Sequence, residues 1–355
     1  MLCGCTHQDT RTSVQFASWG SKSEVDILKP ILSDFEKENP DIKIDFMHIP
    51  QNYFQKIHLL FASNTAPDVI FINNLYLPIY ANLLEEMNAP DNFYPQALQA
   101  LSWEGKLYAI PRDISNLVIY YNKDLFDKKG IKYPTENWTF EEFLITAQKL
   151  TDANHFGTSF EEEPLYYLPY LMSNGGGILP DEIQKPESQN TLKFYANLRK
   201  KYHVAPFKSE SASATMAQLF IQERIGMYLS GRWMVPKLRE ECSFDWDVAK
   251  FPKGTKGSVV QTDASGWAIT KASKHKEEAK RLINYLSSKK SIEQFTKSGL
   301  IVPSRIDVTI IDGKKPYNSK IFTDIISTSQ PTPVTVNYKE ITDKLKKDME
   351  KVFNY

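Results

Sequence analysis

Val69-Ile70-Phe71-Ile72 sets four apolar residues in a row between Asp68 and Asn73-Asn74. A run this short, rich in β-branched residues and closed by turn formers, reads as a strand covered on both faces. Working upstream, a helix over Tyr53 to Ser63 leads into it. Ile42 to Phe46 alternates strictly, which is the pattern of a strand with one buried face. Val14 to Trp19 reads as a further strand, ending at Gly20. Between these two strands Ser23 can cap a helix whose apolar face is Val25, Leu28, Leu32 and Phe35. Pro30 is expected to kink that helix or shift its start, and Asn39-Pro40 ends it. Strand, helix, strand, helix, strand is a parallel α/β lobe.

Downstream, Leu117 to Tyr121 reads as another buried strand. Thr139-Phe140-Glu141-Glu142 is a capping box opening a helix to about Leu150. Helices fit Leu192 to Tyr202, Ala212 to Gln222 and Lys276 to Ser287. Strands fit Ile225 to Leu229, Trp246 to Ala249, and Trp267 to Thr270. In the C-terminal segment Ile341, Leu345, Met349 and Val352 share one helical face. At 355 residues the chain suits two lobes better than one core.

Lys+Arg and Asp+Glu both total 43, so there is no basic surplus for phosphate, and a nucleic-acid partner is not expected. No apolar run is long enough to span a membrane. The three cysteines include no CxxC and the six histidines no HxxxH, which argues against a disulfide framework or a metal site. There is no Gly-rich phosphate loop, GxSxG or Cys/His pairing, so neither a cofactor nor a catalytic residue is expected. The 18 tyrosines and 6 tryptophans supply flat apolar faces with polar tips, suited to a partly polar ligand.

In open parallel sheets ligands sit outside the carboxyl ends of strands. The strand-end residues here are Trp19, Asn73, Asn74, Tyr121, Arg232 and Trp233. Most of these have plain alternatives: Trp233 can simply close the bottom of a helix with Arg232 pointing into water, Asn73 and Asn74 can serve an Asx turn, and Tyr121 can pack in the core.

Five segments, in order, resemble the family 1 extracellular solute-binding proteins, the sugar-binding subunits of ABC importers that include maltose-binding protein. They are DFEKENPDIKI, APDVIFINN, WEGKLYAIPRDISNLVIYYNKDLF, LFIQERIGMYLSGRWM and SGWAITKASKHKEEAKRLINYL, covering about Val14 to Pro303. The resemblance implies an α/β fold of two lobes (the type II binding-protein fold) joined by crossover strands, with the ligand in the cleft. The lobes would comprise 13–112 with 263–310, and 113–262 with 311–355. Trp233 would present its indole to a sugar face, with Gly231 leaving room for close backbone approach, and Arg232 would grip hydroxyls or pair across the cleft. Arg112 and Asp113 sit at the first crossing. Asp263, Ser265, Gly266 and Trp267 form the return, with Trp267 favoured for the cleft. Glu163-Pro164 resembles the Glu-Pro that precedes ligand-facing aromatics in maltose-binding protein. Leu165 replaces the aromatic expected next, and Tyr166, Tyr167 and Tyr170 can cover its loss. Asp68 is expected to be structural.

Leu2-Cys3-Gly4-Cys5 resembles the lipobox of bacterial lipoproteins, whose last Cys becomes the lipid anchor. The basic and apolar regions of a signal do not precede it. The expectation is a truncated signal, with Cys5 lipidated, residues 1–12 as tether, and the protein held outside the cytoplasm by that anchor alone. The function expected is capture of a carbohydrate and delivery to ABC permease subunits. A binding protein for a glycerophosphodiester, polyamine or metal chelate is the alternative. A glycosidase using Glu161-Glu162-Glu163 and Asp263 is a minor one, because consecutive acidic side chains diverge into solvent.

Overall fold

The computed structural model describes residues 10–211, 213–310 and 313–354. Strands β1 (Thr12–Ser18), β2 (Ile42–His48) and β3 (Val69–Asn73) are followed by a small hairpin of β4 (Ser102–Trp103) and β5 (Lys106–Leu107). Then come β6 (Ile110–Ser115), β7 (Leu117–Asn122), β8 (Phe156–Thr158), β9 (Ile225–Gly231), β10 (Trp246–Ala249), β11 (Asp263–Ile269) and β12 (Val302–Pro303). One sheet has the order β12-β6-β11-β3-β1-β2, and another has the order β10-β7-β9-β8. Each sheet is the floor of one lobe.

The Val69–Ile72 run lies where its composition puts it. These residues are at most 1% exposed, with β1 parallel on one side and β11 antiparallel on the other. The helix after β1 runs from Lys22 to Glu38, capped by Ser21 rather than Ser23, and continues through Pro30. Its buried face is Val25, Leu28, Ile31, Leu32 and Phe35. The Thr139/Glu142 capping box forms as expected and opens a helix from Phe140 to Leu150.

The chain passes from the first sheet to the second through Asn116 alone, between β6 and β7. Strand β6 was not anticipated from sequence, and the boundary expected at 112/113 falls inside it. The return comes before β11, whose Ser265 faces Asn73 of β3. After β12 the chain leaves again and ends in a helix, Tyr338–Asn354, packed on the second lobe against the Pro186–Lys200 and Pro164–Ser173 helices. Hydrogen bonds stitch these crossings together: Asn116 Nδ2 donates to the Phe322 carbonyl at 2.8 Å, and Thr332 donates to Asp263 through both its backbone N–H (3.1 Å) and its hydroxyl (3.0 Å).

Candidate ligand-binding cleft

Strands β1 and β3 are parallel and end at the same edge, with Trp19 just beyond one and Asn73 closing the other. Strand β6 reaches that edge at Ser115, opposite Asp263. In the second lobe β8 and β9 are parallel with Thr158 opposite Met227, and the Ser159 hydroxyl accepts from Leu229 N at 3.0 Å, while β9 runs on past the end of β8 to Gly231. The two edges face one another across Asn116.

Between them lies a cavity of about 210 Å³ lined by Trp19, Glu24, Arg112, Asp113, Ser115 and Ser265 from the first lobe and by Arg232 and Trp233 from the second, with Leu300 and Ile301 closing it. Trp19 and Glu24 also line an adjoining hollow of about 710 Å³ that extends over His48 and Gln51. Trp19 and Trp233 are half-buried, leaving part of each ring accessible.

The cavity's charges are paired. Arg112 bonds Glu24 at 2.6 Å and Asp113 at 2.5 Å, and its guanidinium lies 4.3 Å from the centre of the Phe71 ring. Burial alone would lower the Arg112 pKa, but Asp113 and Glu24 beside it leave it raised. Burial also raises that of Asp113 against the pull of the guanidinium. Two carboxylates on one guanidinium leave acceptor lone pairs over, so the cluster offers a ligand acceptors rather than a free cation.

The sequence profile of the bacterial extracellular solute-binding proteins matches residues 20–293. The chain belongs to that family. A putative binding protein of Brucella abortus is 26% identical over 347 residues, covering 90% of this chain and 82% of the relative. The galactooligosaccharide-binding protein of Bacillus subtilis is 24% identical, covering 91% and 80%. Among solved structures, an ABC substrate-binding protein of Listeria monocytogenes in complex with cycloalternan superposes with a TM-score of 0.88 at 27% identity, over 97% of this chain and 94% of the other. Maltose-bound MalE3 of Thermotoga maritima has the same fold, with a TM-score of 0.82 at 22% identity, covering 96% and 94%. The fold is therefore the two-lobe binding-protein fold, and the family is one of binding proteins.

For this solute-binding protein, the structure gathers Trp19, Arg112, Asp113, Arg232 and Trp233 at the cavity and sends several other expected residues elsewhere. Tyr121 is the first correction: β7 runs antiparallel to β9, pairing Tyr121 with Met227, so its carboxyl end points away from the cleft and Tyr121 packs against Phe126 and Tyr133. Trp267 is 1% exposed and packs against Phe71 and Phe295 in the first lobe's core. Gly266 serves backbone proximity inside the sheet, since a Cβ there would lie 2.2 Å from the Ile110 carbonyl oxygen. Tyr167 and Tyr170 face the second lobe's core, Tyr167 against Phe353 and Tyr170 against Phe251 and Tyr195. Gly231 makes room for Trp233's own ring, which a Cβ would meet at 1.9 Å.

Asn73 serves a turn, though not the two-residue Asx turn: its Oδ1 and its backbone carbonyl both accept from Tyr76 N, three residues on, at 3.2 and 3.3 Å. Asn74 and Asp263 belong to the hinge: Asn74 Nδ2 donates to Asp263 at 2.7 Å, and Ala264 N donates back to Asn74 Oδ1 at 3.2 Å. Asp263's carboxylate is thus occupied by protein donors, and burial raises its pKa. Asp68 is structural as expected, accepting from Gln15 N and the Ser273 hydroxyl. Glu163 begins the Pro164–Ser173 helix and pairs with Lys346. Cys5 lies outside the described residues.

The acidic triplet is not simply solvated. Glu162 bonds buried Arg199 at 3.0 Å and Lys208 at 2.8 Å. Glu161 lines a second-lobe hollow of about 290 Å³ with Thr215 and Met216, and burial together with Glu163 and Glu162 raises its pKa from 4.5 to about 7. Glu24 was missed, although it opens the helix after β1 and the strand-end rule that found Trp19 also covers it. Tyr338 was missed for a better reason: it comes to Asp263 and Tyr76 only because the C-terminal helix begins at the hinge, and burial with those two neighbours raises its pKa.

Proposed function

We propose that this protein captures a sugar or oligosaccharide outside the cytoplasm and hands it to the permease of an ABC importer. The observation carrying this reading is the pairing of two half-buried indoles, one from each lobe, around a cavity whose polar wall is a Glu24–Arg112–Asp113 cluster. Sugar rings present apolar C–H faces to an indole and hydroxyl donors to a carboxylate. A phosphodiester would need a cation that Arg112, engaged by two carboxylates, does not offer. The oligosaccharide ligands of the Bacillus and Listeria relatives agree with the sugar class. Binding energy is spent on closing the lobes, and the closed form is what a permease reads. The lobes divide close to Asn116 and Asp263. In the same reading Cys5 carries a lipid that tethers the protein to the outer face of the membrane. No bond in the solute is broken.

A thermal-shift panel tests the solute class, with maltose, maltotriose, a galacto-oligosaccharide, glycerophosphocholine and spermidine as probes. A sugar present at 100 times its Kd stabilises by about 2.7 kcal/mol, enough to move the melting temperature clearly. A shift with glycerophosphocholine or spermidine and with none of the sugars would overturn the reading.

A further inference from the structure

Arg232 was expected to grip a ligand or pair across the cleft, and its geometry favours the crossing. It stands one residue beyond β9 in the second lobe, 1% exposed. Its Nε donates to the Ile301 carbonyl at 2.7 Å and its Nη2 to the Thr296 carbonyl at 3.3 Å. Both acceptors belong to the first lobe. Thr296 ends the buried face of the Lys289–Lys297 helix, and Ile301 precedes β12, which pairs with β6. The Thr296 carbonyl, in the last turn of its helix, also accepts from Gly299 N at 3.0 Å, and it lies at the negative end of the helix dipole, where a guanidinium is favoured.

The same interface is closed a second time. Gly299 has φ +88°, and a Cβ on it would come within 2.9 Å of Val235 and 2.7 Å of Arg239, both on the second lobe's Val235–Glu241 helix. On its other side the turn holding Trp233 is pinned within its own lobe, where the Tyr120 hydroxyl donates to the Gly231 carbonyl at 2.8 Å. Leu300 and Ile301 line the same cavity as Trp233, so the contact adjoins the site itself.

Resting on the capture reading above, we propose that Arg232 is a latch between the lobes: a positioning residue that ties the Trp233 turn to the first lobe and biases the free protein toward a narrow cleft. Opening the cleft strips two charge-assisted bonds from the guanidinium and exposes the carbonyls it serves. A ligand meeting a population already biased to the narrow form loses less affinity to the rearrangement. The planar fork matters, because an ammonium is a single point of charge on a flexible stem and cannot span both carbonyls as a fork does.

The test is small-angle scattering from the full chain without added solute, for the wild type, Arg232→Met, Arg232→Lys and Gly299→Ala. Arg232→Met is expected to enlarge the radius of gyration, on the order of 1 Å for a hinge opening, with a cooperative melt retained. Arg232→Lys should recover part of the change. Gly299→Ala pushes on the interface from the opposite lobe with Arg232 unchanged and shows the scattering of a widened cleft. If Arg232→Met fails to fold, Arg232→Lys carries the test, and a folded Arg232→Lys with the wild-type radius of gyration would overturn the latch. Folded variants that scatter as the wild type does would overturn the latch. Since no solute is present, that failure would leave the sugar reading standing, and a panel without a sugar ligand would leave the latch standing.

Discussion

Trp233 shows how one residue divides between binding and folding. Its ring covers Gly231 on one side and contributes to the cavity on the other, and it is only half-buried. Trp233→Ala should therefore cost about 2–4 kcal/mol of sugar binding, as a central aromatic anchor does, while moving the ligand-free melting temperature little. Trp233→Phe should recover part of the affinity. Titration calorimetry beside melting curves separates the effects, and a variant that melts early but binds normally would assign the indole to packing. Glu161 gives a pH signature at the same scale. Its folded pKa of about 7 lies above the ordinary 4.5, so the folded state holds this proton more tightly than the unfolded one. Stability from this group is then full below the ordinary pKa and is lost as pH rises toward 7. Glu161→Gln should stabilise the protein above that pH, on the order of 1–2 kcal/mol after allowing for partial exposure, and have little effect at about pH 4. Equal melting shifts at both ends of the range would contradict it.

At the scale of an element, the Pro164–Ser173 helix shows which face of an aromatic-rich segment goes inward. Tyr167 and Tyr170 are three apart and share a face, and that face meets Tyr195, Phe251 and Phe353 rather than the cleft. Tyr170→Ala is expected to lose about 3–5 kcal/mol of folding stability and to leave the affinity of the folded protein unchanged. Denaturant unfolding beside a sugar titration checks this, and a stable variant with weakened binding would return Tyr170 to the cleft. Strand β7 makes a related point. Its apolar run was legible as a strand, but its direction against β9 was not, and direction alone decides whether Tyr121 or Leu117 borders the crossing.

At the scale of the whole molecule, two lobes meet along a hinge where Asn74, Asp263 and Thr332, far apart in the chain, share hydrogen bonds. What the sequence determined by itself was local: strand runs, helix caps, and the parallel β1–β3 layer whose carboxyl ends must share an edge. That periodicity and edge rule named Trp19 and Trp233, but named Tyr121, Asn73 and Asn74 with equal weight. The resemblance along the chain carried the lobes and the solute-binding class. Only the tertiary structure decided which aromatic residues were core, because Trp267 and Tyr170 differ from Trp233 in what packs against them and not in their own chemistry. It also turned Arg232 from ligand toward the opposite lobe, since the carbonyls it serves lie more than sixty residues downstream. Hydrogen bonds between distant segments leave no periodicity in a sequence, so the hinge and the latch became visible only once the chain had folded.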